Sequence, residues 1–357
     1  MDIEAQLVQA VAEVADSGGR ICVTGDGSKR DWFPHDAASQ MLTTKEHTGI
    51  VAYEPSELVV TARCGTPLVD VVRELDRQDQ MLACDPPRFY GDGTIGGAVS
   101  SGMSGPARPW RGRLRDAVLG VQLINGFAQV LNFGGQVMKN VAGYDVSRLV
   151  AGAGGALGIA TQVSLRVQPV PENEITLVFV CDAAEGLAMC RDWAGRYLPI
   201  SATAWLDGTL RVRLSGTESA ISIAHAEIGG DIEPGGENFW SALRDHRLDF
   251  FGSLGASAQV SDAKLWRVIV PPATPMEGLS DASSLIEWAG GLRWVWAADD
   301  ASVTQWAQRH GGWAWPRGGA YALPKAEREI MVSIKAAFDP QGVFASPLRL
   351  NEGTYVD

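Results

Sequence analysis

The sequence predicts an α+β protein of two compositional parts, and three observations carry that reading. Glycine is concentrated in one stretch: residues 85–171 hold 16 of the 41 glycines, against 6 in residues 1–84. Tryptophan runs the other way, with ten of twelve at Trp193 or beyond. Apolar periods of 2 and of 3.6 alternate along the whole chain, which mixes strands with helices. A length of 357 residues suits two domains at about 150 residues each. The 46% hydrophobic and 20% charged composition excludes a disordered chain.

Each element follows from its local pattern. Ile3, Leu7, Ala10, Val11 and Val14 stand at helical spacing before Ser17-Gly18-Gly19, a helix with its stop. Ile21 to Thr24 reads as a short buried strand entering the loop Gly25-Asp26-Gly27-Ser28-Lys29. Residues 50–53 and 58–62 are β-type runs, and Pro67 opens a helix carried by Leu68, Val71, Val72 and Leu75. Asp85-Pro86-Pro87 marks a break, and GDGTIGGAVSSGMSGPARP after it shows no assignable period. Residues 117–124 and 127–133 flank Asn125-Gly126, a strong hairpin signal. A short helix within 141–152 and a strand over 158–170 complete this part, which Pro169 and Pro171 close.

Beyond residue 172 the patterns read strand (175–180), helix (183–197), and a hairpin turning at Asp207-Gly208. Helices near 217–227 and 237–249, a strand at 265–270, a helix near 281–289, a strand at 292–297 and a helix at 299–309 follow. A last helix stops near Asp339-Pro340. This is a separate α+β domain with helices over a sheet.

The net charge of −12 divides into −7 for residues 1–84, +4 for 85–171 and −9 for 172–357. The Gly-rich part is a basic island in an acidic chain. Nucleic acid and anionic membrane are excluded as main partners, because phosphate surfaces are bound through clustered Lys and Arg. A small anionic ligand at the island fits better. Cys22, Cys64, Cys84, Cys181 and Cys190 are scattered, odd in number and without C-x-x-C. They read as reduced core thiols, with no disulfide framework and no metal site. The acidic N-terminus and the lack of an apolar run near ~18 residues predict a cytoplasmic protein without direct membrane insertion.

GDGTIG (91–96) matches the dinucleotide pattern G-x-G-x-x-G, whose mechanism needs a strand entering the turn and a helix leaving it. Pro86 and Pro87 exclude a central strand before it, so the match reads as a false dinucleotide signature. Gly25 to Lys29 lacks the spacing of an ATPase phosphate loop. Both loops share small residues that let backbone N–H groups converge on an anion. Either alone is a tight turn; the pair points to a diphosphate-bearing cofactor.

VTGDGSK (23–29), residues 85–167 with FGGQVMKNVAGYDVSRL at their centre, and FDPQGVF (338–344) resemble the vanillyl-alcohol-oxidase-type, or PCMH-type, FAD-binding family. Within it they most resemble the E-type FAD-binding subunits of bacterial glycolate oxidases. The resemblance is dense over 85–167 and thin from 172 to about 325. It implies a PCMH-type FAD-binding domain, 1–171, of two α/β subdomains (1–84 and 85–171) that clasp FAD. It further implies an α+β cap domain, 172–325, and a C-terminal segment, 326–357, returning to the flavin domain. By motif position Gly25, Asp26, Gly27, Ser28 and Lys29 should wrap the pyrophosphate. Pro86, Thr94, Gly96, Gly97, Ser100, Ser101 and Gly102 should line the flavin and diphosphate, with Gly158 and Ile159 on the adenine or ribitol side.

Several departures bear on activity. The first loop has no His for covalent flavin attachment, so FAD should be bound noncovalently. Gly154 stands where many relatives that oxidise 2-hydroxy acids carry Glu, and Ala345 where Asn is usual. None of His225, His246 and His310 sits in the H-x-G-D-G-N context of the catalytic relatives. Oxidising a 2-hydroxy acid needs a base, a cation for the carboxylate and a hydride acceptor. No placed His/Glu pair is identifiable, and the catalytic residues stay unassigned. The resemblance therefore implies an accessory subunit, its flavin an electron relay or a structural cofactor, in a complex oxidising glycolate to glyoxylate. Its partners would be a catalytic flavoprotein of the D type and an iron–sulfur protein of the F type, and any membrane association would come through that complex. The alternatives are a self-sufficient flavin-dependent D-2-hydroxy-acid dehydrogenase and a scaffold without flavin redox function.

Arg108, Arg111, Arg113 and Arg115 form a basic octet, read as solvated surface, an anion clamp or a dock for an acidic partner. Arg115-Asp116 looks like a structural pair of the family. Lys139 and Tyr144 are candidates to approach the flavin, and Lys139 equally a surface residue. The late tryptophans, Trp294, Trp296, Trp313 and Trp315 among them, read as core packing or as partner hot spots.

Overall fold

A computed structural model describes residues 1–33, 38–89, 91–135, 145–252, 263–279, 284–298, 300–319 and 325–346. Two compact units divide the described residues. The first takes Met1–Ser104, Arg113–Pro169 and Gly318–Asp357, and the second takes Gly105–Gly112 and Val170–Arg317.

The first unit is built on a five-stranded antiparallel sheet in the order Ile50–Glu54, Val59–Arg63, Ile159–Arg166, Val118–Ile124, Val130–Gly134. Two strands come from before residue 84 and three from after it, so the two halves share one sheet. Helix Leu68–Asp76 turns Leu68, Val71 and Leu75 inward, and helix Ile95–Ser101 adds Ile95, Ala98 and Val99. Both pack on Val60, Ala62, Val121, Leu123, Val163 and Leu165 of the sheet. At ~1.5–3 kcal/mol per fully buried aliphatic side chain, this core is the main source of the unit's stability.

A second, smaller core holds the N-terminal helix. Glu4–Ser17 buries Leu7, Val11 and Val14 against Ile21, Ile124, Ile159, Val343 and Phe344, and stops at Gly18 in the left-handed conformation. Strand Ile21–Thr24 pairs parallel with Gln40–Thr43, and the tail crosses its other side. There the Ile21 N–H donates to Val343 O (2.6 Å) and the Ala345 N–H to Ile21 O (2.7 Å).

The second unit is an eight-stranded sheet whose neighbours all run antiparallel. Its order is Asp231–Ile232, Asn173–Val180, Thr209–Gly216, Ile200–Leu206, Ser284–Glu287, Leu292–Ala297, Lys264–Ile269, Trp313–Pro316. Helices Ala183–Trp193 and Glu218–Ile228 bury Cys190, Trp193, Ile221 and Ala224 on Leu177, Leu210, Val212 and Leu214. Helix Asp300–Arg309 places Val303, Trp306 and Ala307 on Trp266, Val268 and Val295 of the same face.

Three sequence expectations are corrected. The helix near 281–289 is a strand over Ser284–Glu287 whose four residues are all buried. Burial on both faces removes the alternation that marks a strand. The stretch GDGTIGGAVSSGMSGPARP, which showed no assignable period, contains helix Ile95–Ser101, short and built mostly of small residues. The Asn125-Gly126 hairpin exists, but its first ladder pair is Ile124 with Val130. Asn125 Oδ1 closes that longer loop by accepting the Phe127 and Gln129 N–H groups, both at 3.0 Å.

Candidate cofactor-binding site

The strand Ile21–Thr24 delivers the chain directly into the first glycine loop. Gly27 takes φ +78°, which an L side chain rarely adopts. Gly25 is glycine for a different reason: a Cβ there would collide with Thr94 Oγ1. Asp26 braces the loop, its Oδ1 accepting the Ser28 N–H (3.1 Å) and its Oδ2 the Gly93 N–H (2.8 Å). The GDGTIG turn is thereby tied to the first loop.

Thr94 caps helix Ile95–Ser101 by accepting the Gly97 N–H at 3.0 Å. Gly96 lies so close to Cys64 that a Cβ would stand 2.6 Å from the Cys64 Cβ. Among the described residues no strand enters this turn, but a helix leaves it, so half of the dinucleotide geometry is present. At the far end Gly102 meets Gly152, and the Gly152 and Gly154 N–H groups donate to Val99 O (2.9 Å) and Ser100 O (2.8 Å).

The tail is locked onto the same unit. Buried Asp339 accepts the Val343 and Phe344 N–H groups, each at 2.8 Å, and pairs with Lys335 at 2.7 Å. Lys335 Nζ also donates to Ala156 O (2.9 Å) and Phe344 O (2.8 Å). This brings Ala345 and Ser346 beside the glycine loop.

Between these elements lies a cleft of about 850 Å³, part of it open solvent. Gly25, Asp26, Gly27, Ser28, Lys29, Gly96, Gly97, Ser100 and Ser101 come together in its wall. Thr94 stands behind that wall as the helix cap, and Gly102 ends the helix. Pro86 is buried outside the lining. Gly158 abuts Ile124 O, and Ile159 is a fully buried core residue. The neighbours Gly154, Gly155 and Ala160 line the cleft at that place instead, together with Arg30, Phe33, Thr44, Ala345 and Ser346. Their signals were weak: a glycine run and two small tail residues.

The electrostatics suit an anion. Lys29 is buried, with Nζ 5.5 Å from the Phe89 ring centroid, and Arg30 also lines the cleft. Burial raises the Cys22 thiol and pushes Cys64 up to about 12, so both lining thiols are protonated at neutral pH. Of the basic octet, Arg113 and Arg115 belong to the first unit, with Asp116 accepting the Arg113 N–H at 3.3 Å. Arg108 and Arg111 belong to the second, where Arg111 reaches Ser215 Oγ at 3.2 Å. Lys139 and Tyr144 lie outside the described residues.

A family model described as an FAD-binding domain matches residues 2–134. Over 348 residues the chain is 37% identical to glycolate oxidase subunit GlcE of Escherichia coli (strain K12), covering 96% of each protein. The chain belongs to the GlcE family of glycolate oxidase subunits. As a GlcE homologue it is an FAD-binding oxidoreductase subunit. It is also 28% identical to glycolate oxidase subunit GlcD of Bacillus subtilis (strain 168) over 148 residues, 42% of this chain and 31% of that protein. A D-lactate dehydrogenase of Anaerostipes hadrus matches at 28% over 138 residues, 39% of this chain and 29% of that protein.

The fold of the GlcE homologue is shared with alkyldihydroxyacetonephosphate synthase. The TM-score is 0.68 at 14% identity, over 97% of this chain and 75% of that one. The α+β, PCMH-type FAD-binding fold expected from the sequence is thus the one observed. The cleft residues fit FAD. Gly27, at φ +78°, and Gly97, whose N–H is held by Thr94 Oγ1, keep the loop and helix wall of the cleft free of side chains. The Ser28 and Ser100 hydroxyls and the Lys29 ammonium are donors suited to a diphosphate, whereas the Ser101 hydroxyl donates to Ala98 O at 2.9 Å.

Proposed function

We propose that this chain holds FAD noncovalently in the cleft of its first unit, as the accessory flavin subunit of a glycolate oxidase complex. A catalytic flavoprotein of the GlcD type and an iron–sulfur protein of the F type are its partners, and the complex oxidises glycolate to glyoxylate. Bound FAD supplies redox chemistry at its ring system, for electron relay or as a structural cofactor. The protein's own part is binding and orientation. Loop amides within 25–29 other than that of Ser28, together with Lys29, hold the diphosphate, Ser100 donates from the helix, and Val23, Phe33 and Ala160 form apolar walls.

One observation carries the accessory reading. Asp26 is the only carboxylate among the described lining residues, and both its oxygens are taken by backbone N–H groups. No described lining residue is a histidine. Removing a hydroxyl proton needs a free base within hydrogen-bond reach, and the described cleft residues place none. The protonated Cys22 and Cys64 thiols are poor nucleophiles, which supports the noncovalent mode. Among the described residues no helix is long and apolar enough to cross a membrane.

Anaerobic glycolate added to the purified chain alone should leave its flavin oxidised, and addition of the GlcD-type flavoprotein should then reduce it. Reduction by the chain alone would replace this reading with the self-sufficient dehydrogenase. No reduction in the presence of the active GlcD-type flavoprotein would leave the flavin a structural role.

A further inference from the structure

The C-terminal segment brings to the cleft a hydroxyl that no described residue uses. Phe344 bridges Ile21 in parallel, with the Ile21–Val343 and Ala345–Ile21 backbone hydrogen bonds on either side of that bridge. The tail thus runs as an added strand along Ile21–Thr24, on the side away from Gln40–Thr43. Two residues further along each segment stand Val23 and Ser346, and both line the cleft. Gly155 lines it as well, and a Cβ there would stand 3.3 Å from the Val23 Cβ. The Ser346 Oγ is shut off from water and has no hydrogen-bond partner among the described residues. Ala345 carries no polar side-chain atom, so Ser346 is the one side-chain donor that the tail adds to the described wall. Ser101 in the helix wall differs, since its hydroxyl is already spent on Ala98 O.

A buried hydroxyl without a partner is a net cost to the folded chain, because the water it gave up is not replaced. Ser346 does not repay that cost by holding the tail. The tail is held by the two N–H groups on Asp339, by Lys335 and by the pairing with Ile21. We propose that Ser346 is a cofactor-contacting residue: its hydroxyl hydrogen-bonds FAD in the cleft, and bound FAD in turn keeps the end of the tail on Ile21–Thr24. The proposal rests on the reading of this cleft as an FAD site and adds to it a residue and a coupling. A serine hydroxyl both donates and accepts, which suits it to the polar edge of a cofactor. The assignment asks of the protein one turn of the hydroxyl about its Cα–Cβ bond, between staggered positions. Whatever the closed tail adds to FAD affinity, FAD returns to tail closure, since coupling between two equilibria is reciprocal.

The test compares the full-length wild type with Ser346→Ala, each stripped of flavin and titrated with FAD by the quenching of flavin fluorescence. Ser346→Ala should weaken FAD binding roughly 3- to 10-fold, the scale of one neutral hydrogen bond. Its urea midpoint without FAD should be no lower than that of the wild type, because the substitution deletes a hydroxyl that has no partner in the protein. A merely structural serine would lower that midpoint. Hydrogen exchange reads the coupling: saturating FAD should slow exchange of the Ala345 N–H in the wild type, and slow it roughly 3- to 10-fold less in Ser346→Ala. Wild-type FAD affinity in Ser346→Ala, a lowered midpoint of its apoprotein, or equal protection of Ala345 in the two proteins overturns the proposal and leaves the FAD reading standing. A wild-type apoprotein that takes up no FAD overturns that reading, and this proposal with it.

Discussion

Gly25 is glycine because of what it touches. Its φ is unremarkable and the constraint is Thr94, whose hydroxyl occupies the space a methyl group would need. Gly25→Ala should therefore push the glycine loop off the helix cap, costing about 1–3 kcal/mol as an overpacked contact. Urea denaturation together with the flavin content of the purified protein measures this. Lys29→Met should weaken FAD binding roughly 10- to 100-fold, as a cation–diphosphate contact is lost. Titration of apoprotein with FAD reads that directly. Asp26 was legible as part of the loop but not in its role, since a sequence does not show that its carboxylate faces backbone N–H groups.

Lys335 and Asp339 hold the C-terminal segment through local hydrogen bonds that sequence patterns do not display. Helix Lys325–Phe338 was legible from its period and its stop, but the lock is a tertiary event. Gly126 belongs to it: a side chain there would collide with Asp339, and the Gly126 N–H donates to Phe338 O at 2.9 Å. Asn125-Gly126 reads as hairpin chemistry, whereas the glycine serves a close approach. Asp339→Ala removes the carboxylate partner of the partly buried Lys335 ammonium and leaves two N–H groups without their acceptor, which should cost about 2–4 kcal/mol. Limited proteolysis should cut the tail of this variant first, with flavin loss following. Strand Ser284–Glu287 shows the opposite limit, since a run buried on both faces has no period to read.

At the scale of the whole molecule the first unit was legible and the second only in part. The flavin cleft forces small residues at fixed backbone positions, so its motif survives in the letters. The sheet of the second unit is held by apolar side chains that many sequences supply, and Arg267, Glu287 and the indoles around them meet only through strand register. That cluster sets a pH dependence. Glu287 is raised from 4.5 to about 7, so the folded state binds more protons than the unfolded state between those values. Stability from this group is fully present below the unfolded value and is lost as pH rises through the folded one. Glu287→Gln should accordingly raise the melting temperature relative to wild type more at pH ~8 than at pH ~5.

The central claim is that this GlcE homologue carries FAD, held without a covalent bond, in the cleft of its first unit. Native purification followed by acid precipitation tests it most directly. The protein should be yellow and should release FAD, in an amount close to the chain's own, into the acid supernatant. Colourless protein, or flavin that stays with the pellet, would contradict it.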